Sequence, residues 1–245
     1  MTADAEASGA ALHAVGNGLA AGAGGWTFGS ETAAVFDQHA VRSIPFYAAA
    51  HTLVADVADM LVRRGGLCYD VGCSTGTLTL LLAERLAERG ARVIGIDREH
   101  DMVDRARARV GGRAEIVLGE IETMTLEPAA AIVSFYTLQF VPLPIRPHVV
   151  ERLRTALEPG GALILFEKIR GATGRDQAMQ DELLRDFKAS QGFDHEEITA
   201  KAQSLRGVLV PQTSAANRSM LLEAGFAEVE PVFRWLGWEG VVALV

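Results

Sequence analysis

Two hydrophobic patterns alternate along the middle of the chain. Short apolar runs, typical of buried β-strands, are followed by longer segments in which apolar residues recur every three or four positions, as in amphipathic helices. The apolar runs predict five strands, at Leu67–Asp70, Ala91–Ile96, Glu115–Leu118, Ala130–Phe135 and Ala162–Phe166. Strands and helices that alternate in this way indicate an α/β fold with a Rossmann-like, doubly wound and mostly parallel sheet.

The helical pattern occurs both before and between these strands. It predicts helices at Ser30–His39, His51–Val62, Leu78–Arg89, Glu99–Val110 and Pro147–Leu157. Ser30 is expected to cap the first helix, and Pro45 to separate the first from the second. Gly90 is expected to end the third helix, and the Pro-Gly-Gly sequence that begins at Pro159 to end the last.

The C-terminal part has a different pattern. Two helices, Arg175–Ser190 and Glu196–Arg206, predict a helical insertion at about residues 172–210. A further helix at Asn217–Ala224 precedes two apolar segments, Phe226–Val232 and Gly240–Val245. These two segments are expected to pair as an antiparallel hairpin at the edge of the sheet.

The first 25 residues are rich in Ala and Gly and poor in large apolar side chains. We therefore expect a flexible leader over residues 1–25 and a single domain over residues 26–245. The leader lacks the basic start of a signal peptide and the long apolar run of a membrane span, so no membrane contact is expected.

Cys68 and Cys73 are not accompanied by other residues at the spacing of metal ligands, and they indicate neither a disulfide framework nor a metal site. A reduced, cytoplasmic location is therefore expected.

The charge of the chain limits its partners. It carries 31 acidic residues against 23 Lys and Arg, a formal charge of −8. Nucleic-acid binding needs clustered basic residues that neutralise phosphates, so the composition argues against nucleic acid as the main partner. A small-molecule substrate is the expectation that follows.

The most informative stretch is the turn after the first predicted strand. Asp70 ends the apolar run, and Gly72 and Gly76 then frame a turn of small residues before the helix that begins at Leu78. Glycines allow the backbone to turn sharply and a ligand to approach it closely, and the helix N-terminus that follows offers free N–H groups. Asp97, about 20 residues further on, ends the second strand, where an acid suits ribose hydroxyls.

The turn differs from a dinucleotide site because its pattern is D-x-G-x-x-x-G rather than G-x-G-x-x-G. An acidic residue at its start suits a cationic ligand, such as a sulfonium or ammonium group, through charge complementarity. The turn therefore predicts a site for S-adenosylmethionine (SAM). The alternative is a purely structural turn between strand and helix.

Several motifs carry a resemblance to a known family. They are WTF from Trp26, RSIPFY from Arg42, YDVGCSTG from Tyr69, FYTLQFV from Phe135, PGGALILFEK from Pro159, DFKASQGF from Asp186 and EAGF from Glu223. Through them the chain resembles class I SAM-dependent methyltransferases, and most narrowly the carboxy-SAM synthase family of tRNA wobble-uridine modification. The resemblance covers about residues 26–245 and implies the class I methyltransferase type of fold.

The resemblance also implies a set of cofactor-binding residues. Together with Asp70 and Gly76 from the turn itself, these are Tyr47, Gly72, Cys73, Ser74, Asp97, Arg98, Glu120, Ile121 and Phe135. Three positions depart from the family pattern. The family has Asp at Glu120, Asn at Phe135, and at Ala202 the Arg that holds the extra carboxylate of its product. Without that cation the carboxylate would be unpaired, so carboxy-SAM synthesis is disfavoured unless Arg206 substitutes.

Four residues are candidates for catalysis, namely Tyr47, His51, Tyr136 and Glu167, and Lys168 lies beside the last of them. Three of them have a simpler alternative: Tyr47 as a ligand of the cofactor carboxylate, His51 as a residue of the core, and Glu167 as a salt-bridge partner of Lys168 or Arg170. Arg170, Arg175 and Arg185 are candidates for an anionic substrate or are merely solvated, and His195 lies among acids and is expected at the surface.

Three functions remain open from the sequence. The first is SAM-dependent methyl transfer to a small acceptor in specialised metabolism. The second is a methyltransferase fold used for another displacement, such as an intramolecular ring closure, with carboxy-SAM synthesis among its variants. The third is a non-catalytic subunit that stabilises a partner enzyme. The family resemblance implies a homodimer, and a heteromeric partner is the alternative.

Overall fold

A seven-stranded sheet forms the centre of the molecule. The computed structural model describes residues 11–245. Two strands precede the sheet, β1 (His13–Gly16) and β2 (Leu19–Ala21). The sheet itself contains β3 (Leu67–Val71), β4 (Arg92–Asp97), β5 (Glu115–Leu118), β6 (Ala129–Phe135), β7 (Leu157–Lys168), β8 (Glu228–Trp235) and β9 (Trp238–Leu244). Its order is β5-β4-β3-β6-β7-β9-β8, with β5 to β7 parallel and the last two strands antiparallel.

Eight α-helices surround this sheet. They are α1 (Ser30–Ser43), α2 (Tyr47–Leu61), α3 (Thr77–Leu86), α4 (His100–Val110), α5 (Arg146–Ala156), α6 (Gly174–Ser190), α7 (His195–Ser204) and α8 (Ser214–Glu223). The count refers to residues 11–245. Every one of these helices is too short or too polar to traverse a lipid bilayer.

The core lies on both faces of the sheet because successive residues of a strand point in opposite directions. Tyr69 and Val71 of β3 face α5 and α8, whereas Cys68 faces α2 and α3. The central strand β6 is buried along its whole length, as expected of a strand covered by helices on both sides. The predicted doubly wound architecture is therefore confirmed, including the antiparallel edge.

Element boundaries differ from the prediction at a few places. The last parallel strand, β7, begins at Leu157 rather than Ala162, because Leu157 already pairs with Ala129 and the Pro-Gly-Gly sequence lies within the strand. Helix α1 continues to Ser43, and α2 begins at Tyr47, on either side of Pro45. Ser30 is the first residue of α1 rather than its cap, since Gly29 occupies the cap position.

The expected flexible leader also differs. Its first ten residues lie outside the described part of the chain, but β1 and β2 form a hairpin within the rest of it. Val15, Leu19 and Ala21 are buried with Trp26 against Ala200 of α7. These small apolar side chains are few, but they share one face of the hairpin. The composition of the leader hid this pattern because the residues between them are Gly and Ala, apart from Asn17.

The insertion between β7 and α8 is helical, as predicted. Helix α6 begins at a Thr173 cap whose side chain accepts the Asp176 N–H. Helix α7 begins with a capping box formed by Asp194 and Glu197. The hairpin is fixed to the end of α7, because the Gly24 N–H donates to the Gln203 carbonyl at 3.0 Å and the Trp26 N–H to the Ser204 carbonyl at 3.2 Å.

Candidate functional site

A cavity of about 510 Å³ opens where the parallel strands β3, β4 and β6 end. Ligands of open α/β sheets bind at this edge, outside the carboxyl ends of the strands. The volume lies in the range of about 300–1,000 Å³ that is usual for small-molecule sites. The cavity is closed on its far side by α1, by residues of α6 and α7, and by the segment from Trp26 to Phe28.

The glycine turn forms the floor of the cavity. Gly72 has a φ of +73°, and a Cβ added to it would lie 2.2 Å from the hydroxyl oxygen of Thr137. Gly76 has a φ of +78°, and a Cβ there would lie 3.0 Å from Cα of Ala106 on α4. Both positions therefore require glycine, for backbone conformation and for space. Helix α3 begins at the next residue, so its free N–H groups lie at the turn.

Asp97 joins the end of β4 to this turn. Its carboxylate accepts the Ser74 N–H at 2.7 Å and the Glu99 N–H at 2.9 Å. Burial raises the pKa of Asp97 despite these hydrogen bonds. The neighbouring predicted residues line the same end of the cavity: Cys73 and Ile121 are buried, and Arg98 and Glu120 are exposed at its rim.

Asp70 lies at the base of the turn and is almost fully buried. Its carboxylate accepts the Thr79 hydroxyl at 2.6 Å. Burial raises the pKa of Asp70 to about 7, although the Thr79 hydrogen bond acts in the opposite direction. A cationic group beside Asp70 would favour its ionised form, as the charge argument from the sequence requires.

A clamp that sequence reasoning missed holds α1 on the turn. Arg109 of α4 donates to the Asp37 carboxylate and to Thr75, and the hydroxyls of Thr75 and Thr77 also donate to Asp37. Burial alone would raise the pKa of Asp37, but these hydrogen bonds hold it below its usual value. Residues distant in sequence meet here, so no local pattern could have revealed the clamp.

An aromatic wall stands next to the turn. The Phe135 ring lies 4.6 Å from the His51 ring, 5.6 Å from Tyr47 and 4.4 Å from Tyr136, measured between centroids. Burial lowers the pKa of His51 to about 4, so its imidazole is neutral at physiological pH. Burial likewise raises the pKa of Tyr47 and of Tyr136. The structure thus brings three of the four catalytic candidates together around Phe135.

Tyr136 stands out within this wall. Its φ of +57° is in the left-handed region, which bulky side chains rarely adopt. Its hydroxyl is buried and has no hydrogen-bond partner among the described residues, although the side chain lines the cavity. Ser74 in the turn has a similar φ of +51°. Backbone strain of this kind concentrates at functional sites.

Glu167 does not line the cavity, but it lies close enough to Tyr136 for its charge to add to the effect of burial in raising the pKa of that tyrosine. It is buried behind the turn that follows β6, where the backbone N–H groups of Leu138 and Gln139 reach it and Arg146 lies nearby. Burial raises the pKa of Glu167 to about 8, against the effect of Arg146. Its contacts are those of a residue that supports the wall. Arg170, Arg175, Arg185 and His195 are exposed and lie outside the cavity.

The cavity wall opposite the turn is basic. Lys168, Lys188 and Lys201 line it, and within residues 11–245 none of them forms an ion pair with a carboxylate. Ala202 and Arg206 are exposed and do not line the cavity. Sequence reasoning singled out Lys168 but missed the other two. The only signals were their places in motifs of the family resemblance, since Lys188 lies within DFKASQGF and Lys201 directly precedes Ala202.

In the part of the chain that the structure describes, no group of three or more His, Cys, Asp or Glu side chains is arranged to hold a metal ion. The polar groups at the turn suit an organic ligand instead. The acidic residues that line the cavity all come from the ends of β3 and β4 or from the segment after β5, and they are Asp70, Asp97, Glu99, Glu120 and Glu122. The glycine floor, the acids and the free helix N–H groups together fit an adenosine ligand with a cationic end.

Known proteins are similar to this chain in sequence and in fold. A family model described as a methyltransferase domain matches residues 69–161. A carboxy-S-adenosyl-L-methionine synthase of Wolinella succinogenes is 39% identical over 223 residues, which is 88% of this chain and 92% of that protein. A protein of the same name from Chromohalobacter salexigens is also 39% identical, over 89% of this chain and 83% of that protein.

Solved structures extend the likeness at the level of the fold. Human N-acetylserotonin methyltransferase in complex with SAM has a TM-score of 0.60 and 15% identity, over 88% of this chain and 56% of that chain. A putative methyltransferase of Haloferax volcanii, solved with the Trm112 methyltransferase activator, has a TM-score of 0.59 and 16% identity, over 88% of this chain and 96% of that chain.

Proposed function

We propose that this chain, which belongs to the carboxy-SAM synthase family of class I SAM-dependent methyltransferases, transfers the methyl group of SAM to a small-molecule acceptor. The proposal is supported by the difference in chemical groups between the two sides of the cavity. Its turn side offers glycines and carboxylates, and its other side offers an aromatic wall and cations. A cationic cofactor and a second ligand of different charge therefore have separate places within one cavity.

The cofactor side is proposed to work through a few residues of the turn. Asp97 would hold the ribose hydroxyls, Asp70 would face the cationic end, and Tyr47 would contact the amino-acid part. Gly72, Cys73 and Ser74 would form the floor beneath the cofactor, whereas Gly76, which was predicted to bind it, does not line the cavity and instead lets the turn pack closely on Ala106 of α4. Arg98, Glu120 and Ile121 would border the adenine. The fit rests on the orientation of Asp97, which already accepts two backbone hydrogen bonds that hold it at the turn.

SAM supplies an electrophilic methyl group, which passes to a nucleophile in line with the carbon–sulfur bond that breaks, while the electron pair stays on sulfur. Catalysis of such a step is mostly positioning. Tyr47, His51 and Phe135 give the cavity an aromatic wall, and the buried Tyr136 hydroxyl, which has no partner among the described residues, is proposed to bind the acceptor. Burial lowers the pKa of His51 to about 4, so its imidazole is neutral but would be a weak base for the proton of the acceptor.

The proposal predicts where a labelled methyl group ends. The protein would be incubated with SAM labelled in its methyl group and a bacterial extract of low-molecular-weight compounds, and the products separated by mass spectrometry. We expect S-adenosylhomocysteine to accumulate while the label appears in a compound of the extract. Label that stays in unchanged SAM would contradict methyl transfer, provided that calorimetry shows SAM bound. A boiled sample is the control.

Tyr136 is expected to act on the acceptor rather than on the cofactor. Tyr136→Phe removes the unpartnered hydroxyl and should lower the rate of methyl transfer by about tenfold to a hundredfold. Its affinity for S-adenosylhomocysteine should stay within about twofold, since the ring remains. The matched control is Tyr69→Phe, because the Tyr69 hydroxyl accepts the Glu127 N–H away from the cavity. An equal loss of affinity and rate would place the hydroxyl at the cofactor instead.

A second candidate is carboxylation of the SAM methyl group, the activity in the names of the relatives. The overall identity of 39% and the lysines of the cavity favour it. Two departures disfavour it: Phe135 replaces the polar residue of the family, and Ala202 removes its Arg. Arg206 does not line the cavity as a substitute. The labelling experiment separates the candidates, because carboxylation would leave the label in carboxy-SAM and would yield no S-adenosylhomocysteine.

Three expectations from the sequence stay predictions, namely a role in specialised metabolism, a cytoplasmic location and a homodimer.

A further inference from the structure

One buried side chain of the cavity has no part in the proposed mechanism. It is His39 of α1, which lines the cavity beside Trp26. We propose that Nε2 of His39 accepts a hydrogen bond from an uncharged O–H or N–H group of the acceptor, so that His39 selects acceptors that carry such a group. This inference rests on the proposed function, because it names the class of acceptor that the same cavity would take.

The first argument is the position of the proton on the imidazole ring. Nδ1 of His39 lies 3.2 Å from the side-chain oxygen of Asn17, and an amide oxygen can only accept, so Nδ1 carries a proton. Burial, with the charges of three basic side chains, lowers the pKa of His39 to about 3, and the neutral ring holds one proton only. The basic side chains are Lys201, Lys188 and Arg42. Nε2 is therefore unprotonated and can only accept.

The second argument is that this acceptor has no donor. His39 is 6% exposed, and its Nε2 is buried without a hydrogen-bond partner among the described residues. Buried polar atoms are normally hydrogen-bonded, because an unpaired one loses its interaction with water and gains nothing in return. The side chain lines the cavity, so a ligand there that carries a donor would satisfy Nε2.

The third argument is that the N-terminal hairpin holds the ring in this state. Asn17 and Gly18 join β1 to β2 with φ of +58° and +76°, the Asn-Gly combination that type I′ turns favour. The His39 ring stacks on Trp26 with centroids 5.4 Å apart and meets Phe193 edge-on at 5.8 Å. The hairpin thus fixes the tautomer, and the two aromatic rings fix the orientation.

The surroundings of His39 indicate which molecules can bring the donor. The charges of Lys188 and Arg42, which act on His39, disfavour a cationic donor such as an ammonium group. Aromatic rings continue from His39 along the cavity: Phe28 lies 6.1 Å from Trp26, and Phe140 lies 5.0 Å from Phe28. Such rings pack well on planar apolar molecules. We therefore expect the donor on a ring compound, as in a phenol or an indole.

The test compares molecules of one shape that differ in the donor. Protein saturated with S-adenosylhomocysteine is titrated with indole and with benzofuran, which has an oxygen in place of the N–H. Phenol and fluorobenzene form a second pair. In at least one pair the donor should bind about threefold to tenfold more tightly, as expected of one neutral hydrogen bond. No preference in either pair, or no binding of any of the four probes, would overturn the proposal.

His39→Phe assigns the preference to the imidazole. The variant keeps an aromatic ring but no acceptor, so the affinities for the two members of the preferred pair should become equal within about twofold. The ratio of the two affinities is informative because a general loss of stability would not change it. The matched control is His13→Phe, an exposed histidine of β1 outside the cavity, which should keep the wild-type ratio. An unchanged ratio in His39→Phe would overturn the proposal.

Asn17→Gly tests the positioning of the ring. Glycine adopts the φ of +58° without strain, so the turn is kept while the acceptor of the Nδ1 proton is lost. The proton can then move to Nε2, and the preference for the donor should fall. Long-range ¹H–¹⁵N spectra observe the tautomer directly, and the His39 signals are those missing in His39→Phe. A proton on Nε2 in the wild-type protein would overturn the proposal.

The rival interpretation is that His39 accepts the ammonium group of the cofactor. It predicts that His39→Phe weakens binding of S-adenosylhomocysteine but not of 5′-methylthioadenosine, which lacks the amino-acid part. Our proposal predicts that both affinities stay within about twofold of wild type, since the two ligands contact different residues. All of these measurements are made without turnover, so failure of this inference is distinguishable from failure of methyl transfer.

Discussion

Asp97→Ala is expected to weaken binding of S-adenosylhomocysteine about a hundredfold or more. The carboxylate is proposed to accept both ribose hydroxyls, and each charge-assisted hydrogen bond contributes about 1.5–3 kcal/mol. The same carboxylate accepts the Ser74 and Glu99 N–H groups, so its loss also frees the turn. Calorimetric titration of the purified variant measures the effect.

Two further variants make the result specific to Asp97. Asp97→Asn keeps the shape of the side chain and one acceptor oxygen, and should lose about tenfold in affinity. Asp101→Ala removes an exposed carboxylate from the first turn of α4 and should bind as the wild-type protein does. If Asp97→Ala bound S-adenosylhomocysteine with wild-type affinity, the cofactor would not lie at the turn as we propose.

Gly72→Ala is expected to lower the free energy of unfolding by about 3–4 kcal/mol and to abolish cofactor binding at micromolar concentrations. The new Cβ would lie 2.2 Å from the Thr137 hydroxyl oxygen, in a backbone conformation with φ of +73°. That hydroxyl donates to the Val71 carbonyl at 2.9 Å and ties the turn after β6 to the end of β3. Relief of the clash must therefore move the floor of the cavity.

The matched control is Gly65→Ala. Gly65 has a nearly equal φ of +70°, but an added Cβ would meet nothing within 4 Å. This variant carries only the backbone strain, about 1 kcal/mol, and should bind the cofactor normally. Denaturant unfolding of the two variants isolates the steric part of the effect. Equal destabilisation of both would show that the contact between Gly72 and Thr137 is not tight.

The parallel sheet could be predicted because its signals are local. Each strand is a short apolar run, and Gly90, after the 3-10 turn that follows α3, and Gly111, after α4, have the left-handed conformation that glycine favours. The glycine turn and Asp97 were visible for the same reason, since one strand–turn–helix unit and the strand after it contain the whole pattern. The start of β7 was missed because a Pro-Gly-Gly sequence normally ends an element rather than lying inside one.

The clamp between Asp37 and Arg109 could not be predicted because its members meet only in the folded chain. The two residues are 72 positions apart, and no pattern around either of them indicates the other. Glu167 shows the opposite case: its position after the fifth predicted strand suggested a role at the cavity, but it lies behind the turn of Leu138 and Gln139. Strand position alone does not reveal which face a side chain takes when the following turn folds over it.

The docking of the N-terminal hairpin on α7 has a consequence for the order of folding. The glycine turn and its neighbouring strands are close in sequence, so their contacts close short loops and form early. The hydrogen bonds from Gly24 to Gln203 and from Trp26 to Ser204 close loops of about three quarters of the chain, which costs more entropy and delays them. During synthesis the half of the cavity that surrounds Trp26 can be completed only after α7 has left the ribosome. By then the residues of the glycine turn, which form the other half, have long been synthesised.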